Sequence, residues 1–448
     1  MRNFLILINL TFFLSIVAFV FAANEDFQVG QSVILEAKKP VGVPLHREPS
    51  PSYVKHVPSG TIATIQDIVQ GGHWFKIKLP SGDTSWVHRK YIQIDTAAPT
   101  PIDARTPSIP KYPDSSRTAK VTVGGEDEVW TNIGQCQAAL QDGLRMAEES
   151  STNLRVATWN LRWFPIGTPP DKVKGSAEPT DLDWLICAIR WMQVDVLAIQ
   201  ESLATSEATQ AWKMLTTQLS QHTGQTWRWH RQSCGRPEDH HIGLLWNDSR
   251  VALSKFDSLW QFNAKAESDH NACTYGLRPG HYAYVQSRKK SGADFHLITV
   301  HLKSGPTVFA LEERQKALNR IDKAVAPLLA QDQDVVIVGD FNTMGAGDRQ
   351  SQKAELKYLR RFVAMEKPGF SDLPLQPQCS HYFRGRSGQL DHILVSTGMK
   401  EIDIASAQVT GYCALAGCQR IRGDYPLAYR RLSDHCPVVV EIANQDND

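Results

Sequence analysis

The chain has 448 residues, of which 42% are apolar and 21% charged. That suits about two to four globular domains with a sizeable core and excludes global disorder. Lys and Arg total 48 against 47 Asp and Glu, which excludes a strongly basic or strongly acidic chain and leaves a local basic groove open.

Residues 1–22 read as a signal peptide. Arg2 is a positive start, Phe4 to Phe21 is almost wholly apolar, and Ala22 supplies a small residue where a signal peptidase cuts. An uncleaved membrane anchor is the alternative. Both readings export the rest of the chain, the signal peptide making it secreted or periplasmic, so that its eight cysteines meet an oxidising environment. Cys413 and Cys418 are close enough for a local disulfide. Cys187 lies in an amphipathic helical pattern and reads as a free core cysteine.

Residues 27–96 carry short strand signals at Thr61–Ile65, Trp74–Leu79 and Ser85–Val87, with a turn at Pro80-Ser81-Gly82-Asp83. A small all-β barrel fits. The series Gly60-Thr61, His73 to Ile77, Gly82, Trp86-Val87 and Tyr91-Ile92 resembles the bacterial SH3-like domain. The resemblance implies a cell-wall or protein ligand, although Trp74 and Trp86 read equally well as core packing. Residues 97–117 hold five prolines among small polar residues and read as a linker. Residues 118–448 form the next domain, with its core at 154–442. Cys136 to Glu149 looks helical.

From Leu154 to Ile442 short apolar strands alternate with helical stretches. Val194–Ile199, Phe295–Val300, Val335–Val338, His392–Val395 and Pro437–Ile442 read as strands, Asp181–Met192 and Leu311–Leu329 as amphipathic helices. The expected class is α+β.

Several apolar strands end in a polar residue. Arg155–Trp159 ends at Asn160, Asp195–Gln200 at Glu201, Leu297–Val300 at His301 and Val335–Gly339 at Asp340, with Asn342 two residues on. Gln389-Leu390 leads into Asp391, and Asp434-His435 precedes the last strand. One such ending is an ordinary cap at a strand–loop junction; six together point to one shared mouth. Glu201 with oxygens from Asn160 and Asp434 suits a hard cation, Mg²⁺, Mn²⁺ or Ca²⁺, rather than zinc. Histidines and further carboxylates manage protons, and no G-x-S-x-G or P-loop competes. The set describes phosphoester hydrolysis.

The motifs Thr158-Trp159-Asn160-Leu161, Gln200-Glu201, Val300 to Ser304, Gly339-Asp340-Phe341-Asn342, Leu390 to Ile393 and Ser433 to Pro437 stand in an order that resembles the endonuclease/exonuclease/phosphatase superfamily, which includes deoxyribonuclease I. The resemblance implies a four-layer sandwich, two packed β-sheets flanked by helices. It implies Glu201 as main metal carboxylate, supported by Asn160 and Asp434. Asp340 would align or deprotonate water, Asn342 hold the scissile phosphate, His435 shuttle a proton while held by Asp391, and His301 donate to the phosphate. Lys303 would support. In deoxyribonuclease I an acid pairs with the histidine matching His301; here Glu238 and Asp239 are the candidates, with His240 and His241 as substrate-loop residues.

Basic loops flank the mouth: Arg384 and Arg386, then Arg420, Arg422, Arg430 and Arg431, and Arg228, Arg231 and Arg236. They favour a nuclease acting on DNA or RNA. The alternatives are a phosphatase or sphingomyelinase-type phospholipase, with Trp260-Gln261-Phe262 as a membrane contact, and a non-catalytic binding protein that works through its SH3-like domain.

Overall fold

The computed structural model describes seven strands between Ser32 and Ile94 with parts of their connections, and residues 122–447 apart from 149, 168–177, 275, 366–368 and 403–406. The N-terminal apolar run, the linker and most of the Pro80–Asp83 turn lie outside the described residues. The chain divides into two compact units, Met1–Ser115 and Ser116–Asp448.

In the first unit all seven strands pair antiparallel in one sheet. Alternation decides the faces: Ala63, Ile65, Phe75, Ile77 and Val87 enter the core, whereas Ile62 stays exposed. Trp74 and Trp86 belong to the other parity and are only half-buried. Trp74 sits edge-on to His46 and His88, with ring centroids at 4.7 and 5.1 Å, so it is no part of the core.

The second unit packs a seven-stranded sheet on a six-stranded one. The first contains Asn153–Phe164 at its centre, parallel to Val196–Ser202 and antiparallel to Val438–Ala443. In the second, Asp294–His301 runs parallel to Val335–Asp340, which pairs antiparallel with Asp391–Ser396. The strand period of two sorts each sequence between two cores. Phe295 and Leu297, Val336 and Val338, and Ile393 and Val395 face the other sheet. Ile298, Val300, Val335, Ile337 and Leu394 face outward onto the helices Val308–Leu318, Ile321–Leu329 and Arg349–Met365. The expected sandwich with outer helices is therefore present.

Local expectations fail in three places. The long helix expected over Leu311–Leu329 is two, because Arg320 leaves helical dihedrals (φ −115°, ψ 6°) and donates to the Asn263 and Ala266 carbonyls. The Cys136–Glu149 helix is Ile133–Gln141; Gly143 at φ 77° ends it, and Leu144–Arg145 pairs with Thr122–Val123. Trp260–Phe262 is a short 3₁₀ turn with Phe262 buried, so it offers no protruding membrane contact.

The cysteine expectations are also corrected. All eight cysteines are paired: Cys136–Cys187, Cys234–Cys273, Cys379–Cys418 and Cys413–Cys436. Cys187 is not free, because its helix packs on the helix carrying Cys136. Cys413 and Cys418 each take a partner distant in sequence. Cys436 adjoins His435, and the bridge to Cys413 closes a separation of 23 residues. Replacing both by serine is expected to lower the unfolding free energy by about 3 kcal/mol, the loop-closure magnitude for such a span. An unchanged urea midpoint would contradict this.

Candidate active site

The polar strand ends extend the inner-face rows. His301 continues Phe295, Leu297 and Thr299; Asp340 continues Val336 and Val338; Asp391 begins the row of Ile393 and Val395. His301 is paired with Asp340, and Asp340 with Asp391, so the three side chains are direct cross-strand neighbours. From the facing sheet Asn160 closes the gap. Its Nδ2 donates to Glu201 Oε1 at 3.2 Å and to Asp340 Oδ2 at 3.0 Å, and its Oδ1 accepts from Arg162 N at 3.0 Å. Arg162, Trp163, Glu201 and Asn342 all have positive φ, at 42, 54, 61 and 53°. Such strain at non-glycine residues gathers where side chains are held for a purpose.

His435 is placed by Trp159, whose indole donates to the His435 carbonyl at 3.0 Å, and by Ser433, whose Oγ accepts from His435 N at 3.0 Å. Its Nδ1 meets Asp391 Oδ2 at 2.8 Å and its Nε2 points to Asp340 Oδ2 at 3.8 Å. Ser380 Oγ donates to the same Asp391 oxygen at 2.7 Å. Burial alone would lower the imidazole, but Asp391 and Asp340 outweigh it and raise His435 to about 10. It is an imidazolium at neutral pH.

Burial raises Asp340 to about 7, with the Asp391 charge adding and His435 and Asn160 opposing. Its Oδ1 accepts from Asn342 N at 2.8 Å, while Asn342 Nδ2 donates to the Leu302 carbonyl at 3.1 Å. His301 Nε2 lies 3.6 Å from Asp340 Oδ2 and 3.8 Å from Glu201 Oε1. Burial, then Arg278 and His240, keep His301 neutral, well below the ordinary range. Asp434 stays below the usual carboxylate range against its burial because His435, His381 and Arg162 surround it.

Asp340 binds its proton more tightly folded than unfolded. In the metal-free protein it therefore destabilises the fold as pH rises through the ordinary carboxylate range, most fully above about 7. Asp340→Asn is expected to abolish turnover yet raise the metal-free melting temperature at pH 8, the gain fading toward pH 4. A lower melting temperature at pH 8 would contradict the assignment.

The donor set fits a divalent cation. Ligand atoms of Glu201, His240 and His301 lie within 4.8 Å of one another, as do those of Asp340, Asp391 and His435. Around Glu201 Oε1 the nearest groups include imidazole nitrogens as well as the Asn160 amide, with His240 Nδ1 at 3.6 Å. Asp434 belongs to neither group, and its Oδ2 lies 4.0 Å from His381 Nε2.

Of the outlying candidates, Lys303 Nζ donates to the Ser304 carbonyl at 2.8 Å, and Arg384 and Arg386 are exposed on the hairpin of His381–Phe383 and Arg386–Gly388. Arg228, Arg236 and the pair Arg430 and Arg431 are held in ion pairs with Asp248, Asp239 and Glu178. Asp239 is thereby engaged by Arg236 and is not the acid of His301, whose Nδ1 has no hydrogen-bond partner among the described residues. His241 is buried with both ring nitrogens at backbone carbonyls, Gln232 O and Arg236 O, so it is structural.

Three residues of the site carried no signal in the sequence. Arg278, in the loop entering Gly280–Ser287, is drawn electrostatically by Glu201 and Asp340 and its Nε reaches the His301 carbonyl at 3.4 Å. Ser380 buttresses Asp391. The His381 ring lies 4.5 Å from that of His435.

Residues 157–435 match the model of the Endonuclease/Exonuclease/phosphatase family. The chain belongs to that family, whose members are phosphoester hydrolases that typically depend on a divalent metal. Similar solved structures include an endonuclease/exonuclease/phosphatase from Bacteroides vulgatus, at 15% identity over 66% of this chain and 100% of the other, TM-score 0.43. The human Nocturnin catalytic domain with bound sulfate is 14% identical over 66% and 97% of the chains, TM-score 0.42. The 3′ phosphatase NExo from Neisseria, bound to a product DNA hairpin, is 15% identical over 64% and 99%, TM-score 0.42. No curated protein matches the chain.

Proposed function

We propose that the chain is an exported, divalent-metal-dependent nuclease that hydrolyses phosphodiester bonds of DNA or RNA by water attack. The observation that carries the chemistry is the His435–Asp391 pair aimed at Asp340 beside Glu201, all at one end of the sandwich. Glu201, assisted by Asn160 and Asp434, would hold the cation, Mg²⁺ or else Mn²⁺ or Ca²⁺. When bound it supplies positive charge to a phosphate oxygen. Asp340 aligns the attacking water and accepts its proton at Oδ2, while Asn342 fixes the Asp340 carboxylate. The imidazolium of His435 donates at Nε2 to the phosphate or its leaving oxygen, and Asp391, bonded at Nδ1, orients the ring and keeps it charged. His301, neutral, donates from Nε2 without adding charge. Arg278 offsets the charge of Glu201 and Asp340.

Two features support a polyanionic substrate. Arg384 and Arg386 are exposed beside the site, and Arg420 and Arg422 lie on the loop to which their hairpin is pinned. The apolar N-terminus and the complete pairing of eight cysteines support export. The edge-on Trp74 cluster supports a cell-wall or protein ligand for the SH3-like unit.

Charge reversal at Arg384 and Arg386 tests the substrate class. It is expected to weaken binding of a long oligonucleotide by about tenfold or more and to flatten the salt dependence of binding, while hydrolysis of a dinucleotide changes little. An equal loss on both substrates would contradict a polyanion track.

A further inference from the structure

The hairpin that carries Arg384 and Arg386 is built as a rigid extension of the catalytic cluster. Its two-residue turn has φ of 50° at Arg384 and 73° at Gly385, the left-handed pair that a tight hairpin of this kind needs. A Cβ on Gly385 would stand 2.3 Å from the Ile421 carbonyl oxygen. The neighbouring loop clamps the hairpin at several points. Cys379 is bonded to Cys418, Tyr382 Oη donates to Gln419 O at 2.7 Å, Ser387 Oγ to Cys418 O at 2.8 Å, and Ile421 N to Gly385 O at 2.9 Å.

Alternation then fixes what the hairpin presents. Tyr382 is fully buried against the clamp. His381 and Phe383 project from the opposite face, roughly 7 Å apart at two residues' spacing. His381 touches the His435 ring at 4.5 Å, and its backbone bridges that of His435. Phe383, on the same face and farther out, is 60% exposed. Arg386 is its direct cross-strand partner, so it shares that face, and the Arg384 guanidinium lies 5.2 Å from the Phe383 ring centre. A large aromatic side chain is thus held in water, beside two exposed arginines, two residues along the strand from His381, whose ring packs on that of His435.

We propose that Phe383 is a base-stacking, specificity-determining residue and Arg386 the adjoining phosphate contact of a subsite for single-stranded nucleic acid running outward from His435. The inference rests on the nuclease reading above and narrows it. An aromatic face combined with flanking arginines takes any unpaired base with little regard to sequence. Bases of an intact duplex are already stacked on one another and leave no face for Phe383. Single strands and frayed ends are therefore the preferred substrates.

The test compares wild type, Phe383→Ala, Phe383→Trp and Arg386→Ala on three oligonucleotides of one length: single-stranded, duplex, and a single strand of abasic sites with the same phosphates. Phe383→Ala is expected to raise KM on the single strand by about tenfold, within the range for loss of one stacked base, with kcat nearly unchanged. Phe383→Trp should restore it. On the abasic strand Phe383→Ala should have no effect, whereas Arg386→Ala should raise KM on both single strands. An equal Phe383→Ala effect on the abasic strand, or none on the single strand, overturns the subsite while leaving the nuclease reading intact. Loss of binding to phosphatidylserine vesicles with an unchanged oligonucleotide KM would make Phe383 a lipid-facing tip and also overturn it. If wild type cleaves none of the three, the nuclease reading itself fails, and the subsite with it.

Discussion

Replacing Asp391 by asparagine is expected to lower kcat by about 10²- to 10⁴-fold, the usual worth of a positioned proton donor. The amide keeps the shape of the carboxylate and can still accept from Ser380, so the fold should survive. What it loses is the charge that raises His435 to about 10 against its own burial. Without Asp391, Asp340 and Asp434 are left to oppose burial, and the imidazolium loses its proton at a lower pH than in wild type. The wild-type rate should hold until His435 deprotonates in the alkaline range, whereas the variant's rate should fall at lower pH. A kcat–pH profile with a melting curve checks both parts. A variant within twofold of wild type, with an unmoved alkaline limb, would remove His435 from the chemistry.

Much of this site was legible because strand alternation is a strict rule. Once Val336 and Val338 face the other sheet, Asp340 must do so too, and the same holds for His301 after Leu297 and for Asp391 before Ile393. The sequence also marked the apolar rows that carry them. Residues reaching the cluster from loops obey no period. Arg278, Ser380 and His381 arrive through a loop entry and a hairpin whose position depends on the Cys379–Cys418 bridge, and disulfide pairing is a property of the folded chain. The same blindness explains Cys187, whose amphipathic helix pattern says that it is buried but not that Cys136 is buried against it. Asp239 was adjacent in sequence to the right loop, yet Arg236, three residues away, holds it in a local ion pair.

Removing divalent cations is expected to abolish hydrolysis, a loss of at least about 10³-fold, since a cation held at Glu201 would supply positive charge to the phosphate in the transition state. Glu201→Gln should reproduce part of that loss in a metal-dependent way. Its amide is a poorer ligand for a hard cation, so half-maximal activity should need about tenfold or more added Mg²⁺, with the maximum only partly recovered. A variant with the wild-type metal requirement would move the cation site away from Glu201.

The central claim, a metal-dependent hydrolase of nucleic acid built on Glu201, Asp340, Asp391 and His435, is tested most directly by one assay. Protein stripped with EDTA and dialysed is offered plasmid DNA, RNA, sphingomyelin and inositol phosphates side by side, with and without Mg²⁺, Mn²⁺ or Ca²⁺. The account predicts cleavage of DNA or RNA that appears only when a cation is returned. Full nuclease activity in the stripped protein, or turnover confined to the lipid or inositol phosphate, would contradict it.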